Sequence, residues 1–418
     1  METDFSEETE SSMKAVQLNS ACHGSTGMLM GILSKAMTEH GIENQMLYTF
    51  GEDPAENGYR YASDAEIKLN ALHSRISGRY GFVSEKQTGR LIQFLKDYQP
   101  DLVQIHTIHG HDLNLTRFFQ YLKEAGIPVV YTFHDCWQFT GYCPYYTWER
   151  CEKWKTGCEN CPLRKRYSWF FDRSGENYQK KREAMSGFHH LQIVTPSRWM
   201  EEQVEQSFLK DLPCTVIPNG IDLSVFYPSV SNIRNHLHLN DRKIVLGIAL
   251  SLSEAKGFHD YLELSRRLPE THVLVLVGVP EERRKDLPSN IIALPRTSSK
   301  EELRDLYSAA DVTVVPTHED NFPTVILESL ACGTPAVTYQ VGGAPEALDE
   351  KTGRAVREND LDALMEAVLE FSGKKKEYAA FCRKKAEERY SMKQFTDSYL
   401  SLYEKMVSCA FPQCGTAC

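Results

Sequence analysis

The sequence contains no long apolar run, and this absence sets the first limits on the protein. Among its 418 residues, no stretch approaches about eighteen uninterrupted apolar residues, the length that a membrane-spanning helix needs. Residues 1–12 are rich in Glu and have neither a basic start nor an apolar centre, so they do not match a signal peptide. We therefore expect a cytoplasmic protein whose residues 1–12 form a disordered tail.

Positive charge is also scarce relative to negative charge. The chain has 47 Lys and Arg residues against 57 Asp and Glu residues, a formal net charge of −10. Because such a chain repels polyanions, a nucleic acid is not expected as its partner. Two short basic runs, at residues 164–166 and 180–182, are most simply a solvated surface, and a peripheral contact with an anionic membrane surface is the alternative.

Cysteine is not scarce, but without export the twelve cysteines are expected to be reduced. Four of them lie close together in the sequence and end in a Cys-x2-Cys pair, which is typical of structural zinc: Cys143, Cys151, Cys158 and Cys161. The gap between the first two is wider than in most zinc fingers. The pattern therefore leaves two alternatives, a structural zinc site and plain thiols.

Strand-like apolar runs alternate with helical patterns through both halves of the chain, and neither half shows a short repeat. This alternation predicts an α/β fold with two doubly wound, Rossmann-like domains, each built on a parallel sheet. A Pro- and Gly-rich segment marks the boundary between them. The predicted organisation is an N-terminal domain at 13–215 with a Cys-rich insertion at 143–161, a linker at 216–228, a C-terminal domain at 229–388, a helix at 389–408 and a tail at 409–418.

In doubly wound domains, ligands bind beyond the carboxyl ends of the strands, so the loops that follow strands are the candidates for a site. The first such loop contains Gly24 and Gly27 and precedes a helix, where backbone amides can approach a phosphate or a sugar. His106 and His109 follow another strand, and His134 and Asp135 follow the next one. Histidines at two strand ends indicate a site, although a buried core histidine is the alternative at each position.

The second half carries the more specific pattern. Pro323 suits the first turn of a helix whose amides can bind a diphosphate or a sugar hydroxyl. Glu328 lies one to two turns into that helix, where its two oxygens can accept both hydroxyls of a ribose. Lys256 lies in the loop after the first strand of this half, where a lysine can neutralise a leaving diphosphate.

Together these motifs resemble the family-four retaining glycosyltransferases of the GT-B fold, in particular the bacterial exopolysaccharide and colanic-acid-type enzymes. The resemblance covers residues 13–407 and is carried by three segments: Phe133-His134-Asp135-Cys136-Trp137, Pro218-Asn219-Gly220-Ile221-Asp222 and the run from Asp320 to Pro335. It implies two domains facing across a cleft, a C-terminal helix that crosses back to the N-terminal domain, and a UDP- or GDP-sugar donor in the cleft. The implied acceptor is a saccharide or a lipid-linked saccharide at the inner membrane face, and no metal cofactor is implied for catalysis.

The resemblance also assigns roles to single residues. Glu328 would hold the ribose, Lys256 would meet the diphosphate, and His134 would contact the transferred sugar. The backbone of Asn321, Phe322 and Thr324 would contribute donor contacts, and Gly24 and Gly27 would let their loop close over the cleft. The first carboxylate of the family's Glu-x7-Glu motif is Asp320 here, with Glu319 beside it as a competitor for the role.

One further departure concerns Ser251, which stands where the family has a basic residue for the diphosphate. Arg296 and Arg198 are candidates to replace that charge. The departure keeps open a non-catalytic protein that retains the fold, and an epimerase or a phosphorylase on the same fold is a further alternative to a transferase. Asp360-Leu361-Asp362 spells the metal motif of the other major transferase fold, but it opens a helix, so helix capping is the prediction.

Overall fold

The computed structural model describes residues 12–52, 56–239, 241–248, 252–285 and 287–410. Most of the tails predicted at 1–12 and 409–418, and also Ser251, lie outside these described residues. Within the described ranges the chain forms two sheets, one in each half. The first sheet ends at Val216 and the second begins at Lys243.

The first sheet has seven strands, all parallel, in the order β3-β2-β1-β4-β5-β6-β7. Its strands are β1 (Lys14–Leu18), β2 (Glu43–Tyr48), β3 (Gly58–Arg60), β4 (Leu102–Ile105), β5 (Val129–Thr132), β6 (Leu191–Thr195) and β7 (Cys214–Val216). The helices of this half are α1 (Gly24–Glu39), α2 (Asp64–Ser77), α3 (Glu85–Tyr98), α4 (Leu115–Ala125), α5 (Arg164–Tyr167), α6 (Ser174–Met185) and α7 (Arg198–Glu205). Two short 3-10 turns, Trp137–Phe139 and Lys153–Lys155, lie between β5 and α5.

The second sheet has six parallel strands in the order β10-β9-β8-β11-β12-β13. Its strands are β8 (Lys243–Ile248), β9 (His272–Val277), β10 (Ile291–Leu294), β11 (Val312–Val315), β12 (Ala336–Tyr339) and β13 (Gly353–Val356). The helices are α8 (Ile233–His236), α9 (Phe258–Arg267), α10 (Glu281–Arg284), α11 (Lys300–Ala309), α12 (Thr324–Ala331), α13 (Leu361–Gly373), α14 (Lys375–Arg389) and α15 (Met392–Ala410). Short 3-10 turns occur at Glu254–Lys256 and Ala344–Ala347.

Each sheet is buried on both faces, as the near-continuous apolar strand sequences predict. In β8, Val245 packs into one core cluster, while its neighbours Ile244 and Leu246 pack into another on the opposite face. In β4, Leu102 and Val103 likewise belong to different clusters. Since successive side chains of a strand point to opposite faces, both faces are covered by helices, and the predicted pair of Rossmann-like domains is confirmed.

Side chains cap two helices of the second half, and one of these caps was predicted. The Ser299 hydroxyl accepts a hydrogen bond from the Glu302 amide and caps α11. The Asp360 carboxylate accepts one from the Ala363 amide at 2.9 Å and caps α13. Asp360 therefore satisfies an unpaired amide at the start of a helix, as the capping interpretation of Asp360-Leu361-Asp362 requires.

The last helix, α15, crosses back from the C-terminal half to the first sheet. The hydroxyls of Tyr399 and Thr132 lie 2.7 Å apart, and the Tyr403 hydroxyl donates to Gln104 Oε1 at 3.0 Å. All four of these residues are buried. The predicted return of the C-terminal helix is thus confirmed, and it joins the two halves through apolar packing as well as hydrogen bonds. No helix among the described residues is long and apolar enough to cross a membrane.

Candidate functional site

In both sheets the strand order reverses next to the first strand, between β1 and β4 in one and between β8 and β11 in the other. At such a switch point the loops leaving the two strands run in opposite directions and open a crevice, which is where doubly wound domains bind ligands. In the first half, the Ser20 and Thr107 backbones are joined across this point, and Asn19 accepts from the Thr107 amide. In the second half, the loops after β8 and β11 bring together Lys256 and Asp320.

Lys256 is the cation at the switch point of the second sheet. Its ammonium group donates to Asp320 Oδ2 at 2.9 Å and also to the backbone carbonyl of Glu319. The Lys256 side chain keeps 35% of its surface exposed, and that of Asp320 keeps 23%. Burial raises the pKa of the neighbouring Glu319 carboxyl, and this outweighs the opposing effect of the Lys256 charge. The group that directly pairs with Lys256 is therefore Asp320, while Glu319 contributes its carbonyl.

Two glycines allow other loops to pack against the Asp320 loop. Gly342 has φ +58°, and a Cβ atom built on it would lie 1.7 Å from the Asp320 carbonyl oxygen. Gly257 has φ +74°, and a Cβ there would lie 1.9 Å from the Pro316 carbonyl oxygen. Any side chain at either position would displace the backbone of residues 316–320. These close approaches hold Lys256 and Asp320 in a defined geometry.

Helix α12 begins three residues after Asn321, with Pro323 at its N-cap position and not in its first turn as predicted. Asn321 spans the gap between the two halves: its amide donates to the carbonyls of Phe133 and His134 at 3.1 and 3.2 Å. Its side-chain oxygen accepts from the Ser197 hydroxyl at 2.7 Å. The start of α12, where amides and the helix dipole favour an anion, therefore lies at the junction of the two domains, close to His134.

Glu328 lies in the second turn of α12, and its Oε2 accepts a hydrogen bond from the Tyr307 hydroxyl at 2.8 Å. Burial raises the pKa of the Glu328 carboxyl above its usual range, and the hydrogen bonds of Tyr307 and Thr324 only partly oppose this. Thr324, the first residue of α12, is half-buried on the same side of the helix. The sequence did not indicate Tyr307, because a tyrosine inside an amphipathic helix looks like any other core residue.

Phe322 lies between the Asp320 loop and the linker that precedes the second sheet. It is buried and packs against Tyr390, with ring centroids 5.9 Å apart. Its carbonyl accepts a hydrogen bond from the Asn219 side chain at 3.4 Å. The Pro218-Asn219-Gly220 and Asp320-to-Pro335 motifs, which are separated in sequence, therefore meet at Phe322.

On the N-terminal side, His134 pairs with His106. His134 Nε2 and His106 Nδ1 lie 3.1 Å apart, and the two rings stack with centroids 5.4 Å apart. Burial lowers the pKa of His134 to about 4, and burial together with the neighbouring ring lowers that of His106 well below its ordinary value. Both rings are therefore neutral near pH 7, and one donates a proton to the other in a neutral hydrogen bond.

Because His134 is neutral, we expect it to act as a hydrogen-bonding group and not as a cation. His134→Ala should lower turnover about tenfold, the effect of one neutral hydrogen bond, and His134→Gln should retain more activity than His134→Lys. The wild-type pH–rate profile should show no titration of this residue between about pH 6 and pH 8. The exposed His259 provides the control, since His259→Ala should leave turnover unchanged. A His134→Lys variant as active as wild type would contradict a neutral role.

His109 and Asp135 form a second polar pair on this side. His109 Nε2 lies 2.8 Å from Asp135 Oδ2, and Asp135 Oδ1 accepts from the Trp137 amide at 2.9 Å. Burial by itself would lower the pKa of His109, but the Asp135 carboxylate outweighs it and the pKa is raised. The Tyr80 hydroxyl donates to the His109 carbonyl at 2.6 Å. Both carboxylate oxygens of Asp135 are thus engaged, which fixes the segment that carries His134.

Gly24 and Gly27 lie in the first turn of α1, which begins six residues after the last residue of β1. A Cβ on Gly27 would lie 2.4 Å from the carbonyl carbon of Cys22, so the loop can turn this tightly only with glycine there. The N-cap residue of α1, His23, makes no side-chain capping bond. The loop that leads into this turn follows β1, the strand at the switch point of the first sheet.

Tyr145 is a residue of the site that sequence reasoning missed. It belongs to the Cys-rich insertion, and the Lys256 ammonium group lies 5.6 Å from its ring centroid. Burial raises the pKa of Tyr145, and the carboxylates of Asp320 and Asp135 raise it further. Tyr145 therefore lies close to one carboxylate from each domain. No local pattern marks it, because Tyr145 stands among other aromatic residues with no strand or helix period around it.

The structure gives no support to the zinc alternative for the cysteine cluster. Among the residues it describes, no three His, Cys, Asp or Glu side chains are arranged to share a metal ion. Cys143 and Cys158 instead pack into the core of the first domain, and burial raises their pKa to about 12 and about 11. The Cys158 sulfur accepts from the Gly141 amide. Two of the four cysteines are therefore core side chains, while Cys151 and Cys161 are partly buried against the same core.

A groove of about 1650 Å³ lies between β7 on one side and α14 and α15 on the other, and Phe322 is among its lining residues. Three of its charged groups have partners: Lys385 pairs with Asp349 at 2.6 Å, and the Glu346 carboxylate accepts from the amides of Arg198 and Trp199. Arg198, a candidate to replace the missing cation, faces this groove. Arg296 follows the carboxyl end of β10 and is exposed. Of the two, Arg296 lies at the edge of the sheet that carries Lys256.

Two family models match the chain, one in each half. The model described as Glycosyltransferase Family 4 matches residues 30–225, and the model described as Glycosyl transferases group 1 matches residues 229–389. The putative colanic acid biosynthesis glycosyl transferase WcaC of Escherichia coli (strain K12) is 21% identical over 421 residues, which cover 92% of this chain and 97% of that protein.

Solved structures share the two-domain architecture. Sucrose-phosphate synthase (tll1590) from Thermosynechococcus elongatus superposes with a TM-score of 0.72 at 17% identity, covering 95% of this chain and 100% of its own. Anabaena Alr3699/HepE in complex with UDP and glucose superposes with a TM-score of 0.67 at 16% identity, covering 94% of this chain and 100% of its own. At these identities the likeness establishes a common fold.

Proposed function

This chain belongs to the family-four glycosyltransferases of the GT-B fold, and from that premise we propose that it moves a sugar from a nucleotide-sugar donor to a growing saccharide. The donor would be a UDP- or GDP-sugar bound between the two domains. A UDP donor has the more direct support, since the similar HepE structure contains UDP and glucose. The product would be a cell-surface polysaccharide, by analogy with the colanic acid relative.

One observation carries this proposal: Lys256, Asp320 and the start of α12 meet at the switch point of the second sheet, opposite His134. Asp320, at 2.9 Å from Lys256, neutralises the charge of the lysine while no donor is bound. A diphosphate brings two further negative charges to this point, and Lys256 and the amides of α12 can stabilise them as the sugar departs. Stabilising charge that develops on the leaving group lowers the barrier to transfer directly.

We propose that transfer retains the configuration of the sugar. In this mechanism the acceptor hydroxyl attacks the face from which the diphosphate departs, so no side chain needs to form a covalent bond to the sugar. The work of the protein is then to stabilise the leaving group and to orient the acceptor. Lys256 supplies the stabilising charge in this scheme without a metal ion, and His134, held by His106, orients the sugar through a neutral hydrogen bond.

We propose further that the acceptor is a lipid-linked saccharide, so that transfer takes place at a membrane surface. The N-terminal domain would bind this acceptor, since the C-terminal domain carries the donor contacts. Next to His134, the N-terminal side of the cleft carries His109, Asp135 and Tyr80. These polar side chains are suited to bind sugar hydroxyls or to hold the loop of His134 in place.

The test is a panel of UDP- and GDP-sugars, each assayed for transfer and for donor hydrolysis, with and without a chelator. We expect turnover of one donor by the wild type, unaffected by the chelator, and loss of turnover in Glu328→Ala. Nuclear magnetic resonance of the product should show the anomeric configuration of the donor. A wild-type protein that binds no nucleotide and turns over no donor would favour a non-catalytic role, and an inverted product would refute retention.

A further inference from the structure

The N-terminal domain has an exposed apolar face whose side chains are not part of its core. Helix α2 carries three exposed aliphatic side chains, Leu69, Leu72 and Ile76, which are 65%, 44% and 42% exposed. Their spacing of three and then four residues puts them on one side of the helix. The segment after α5 adds three consecutive exposed aromatic side chains, Trp169, Phe170 and Phe171, which are 50%, 65% and 52% exposed.

The two parts of this face adjoin each other. The Trp169 amide donates to the Arg75 carbonyl near the end of α2 at 2.8 Å, and Arg75 in turn donates to the Arg166 carbonyl at 3.0 Å. The Phe171 carbonyl lies beside Gly78, the residue that ends α2. These contacts place the exposed aromatic segment beside the C-terminal end of α2, the helix that carries the exposed aliphatic side chains. Neighbouring exposed apolar side chains of this number mark a surface that binds a partner or a membrane.

Cations surround this face. Lys68, Lys165 and Arg166 are exposed, and they form no ion pair with any residue that the structure describes. Arg173 is partly neutralised by Glu176, and its guanidinium group lies over the Phe171 ring. The chain as a whole carries a formal charge of −10, so the local charge at this face is opposite in sign to the net charge of the protein. Aromatic side chains next to Lys and Arg match the chemistry of an anionic bilayer surface.

The face also borders the candidate site. Tyr167, at the end of α5, stacks on Tyr80 with ring centroids 5.7 Å apart, and Tyr80 donates to the His109 carbonyl. Arg166 lies within electrostatic reach of Glu319 in the Lys256 loop. A membrane that touched Trp169 and Phe170 would therefore lie at the rim of the cleft, on its acceptor side.

We propose that Leu69, Leu72, Ile76, Trp169, Phe170 and Phe171, with the cations around them, dock the N-terminal domain on an anionic lipid bilayer. The aromatic side chains would enter the headgroup region, while Lys68, Lys165 and Arg166 pair with lipid phosphates. The inference rests on the proposed transfer to a lipid-linked acceptor, since docking here brings the acceptor end of the cleft to the lipid surface.

Vesicle sedimentation with the full chain tests the proposal without any substrate. The probes are vesicles of phosphatidylcholine alone and of phosphatidylcholine with roughly one third phosphatidylglycerol, an anionic lipid. We expect binding to the anionic vesicles only. The double variant Lys165→Gln, Arg166→Gln should bind these vesicles about thirtyfold more weakly, since each cation contributes about 1 kcal/mol. The triple variant Trp169→Ser, Phe170→Ser, Phe171→Ser should bind them at least about tenfold more weakly.

Phe381→Ser is the matched control, because Phe381 is 41% exposed and lies beside Lys351 on the C-terminal domain. It should bind vesicles as the wild type does, and circular dichroism should show all variants folded. The proposal is overturned if the wild type ignores anionic vesicles, or if both face variants bind them normally. The proposal is also overturned if size-exclusion chromatography shows a dimer or a complex that dissociates in the face variants, because the face would then be a protein interface.

Since vesicle binding needs no donor, this result is independent of the catalytic proposal. A protein that binds vesicles but turns over no donor keeps the docking face and loses the proposed function. A protein that transfers sugar to a soluble acceptor but ignores vesicles keeps the function and loses the docking face.

Discussion

Replacing Lys256 by alanine should lower kcat/KM for the donor by roughly 10²- to 10³-fold, or about 2.7–4 kcal/mol, the effect of removing one preorganised group that stabilises developing negative charge. The structure gives the reason. Lys256 is the cation held at the switch point by Asp320 and by the Glu319 carbonyl, and the family's second cation is replaced by Ser251. Steady-state kinetics with the donor identified in the panel would measure this loss.

Two further variants make the Lys256 test specific. Lys256→Arg keeps the charge but changes the donor geometry, so it should recover part of the lost activity. Lys376→Ala removes an exposed lysine of α14 and should change nothing. Because charge develops on the leaving group only as the bond breaks, the loss should appear mainly in kcat. A Lys256→Ala enzyme with normal kcat and kcat/KM would remove the central support of the proposed mechanism.

Replacing Glu328 by glutamine should weaken nucleotide binding by roughly 10²-fold if, as the resemblance implies, its ionised carboxylate accepts two ribose hydroxyls, because the amide carries no charge. Burial raises the pKa of this carboxyl, so the ionised form is held at a cost in the ligand-free protein. Binding should therefore weaken as the pH falls through that raised pKa, at a higher pH than for an exposed glutamate. Isothermal titration with UDP and GDP at several pH values would measure both effects.

The same carboxyl predicts an opposite change in stability. The folded protein holds a proton on Glu328 at pH values where the unfolded chain has already lost it, so stability falls as the pH rises through this window. Glu328→Gln removes that cost, and the ligand-free variant should unfold at a higher temperature near neutral pH than the wild type. Glu366→Gln, an exposed change on α13, should alter neither binding nor stability. Unchanged nucleotide affinity in Glu328→Gln would contradict the ribose assignment.

The candidate site divides into what local sequence reveals and what it hides. The strands can be recognised in the sequence, and the candidate residues lie in the segments that follow them. These residues are His134, Lys256, Asp320 and, in the helix after β11, Glu328. Tyr145 has no such signal, because it reaches Lys256 from an irregular segment more than one hundred positions earlier in the chain. The Cys-rich insertion left two alternatives for a related reason: spacing alone cannot tell whether cysteines converge on an ion or pack into a core. Here Cys143 and Cys158 pack into the core of the first domain.

The sequence by itself determined the two parallel sheets, the helix start at Asp360, and the strand-end loops that carry the candidate site. Alternation of apolar runs, capping residues and glycines acts over a few neighbouring residues, so it can be read without knowing what packs against what. Only the tertiary structure decided that Asn321 meets the carbonyls of Phe133 and His134, and that α2 and Trp169–Phe171 share one exposed face. Such contacts join segments far apart in the chain, and they depend on how whole domains and helices pack rather than on any local period.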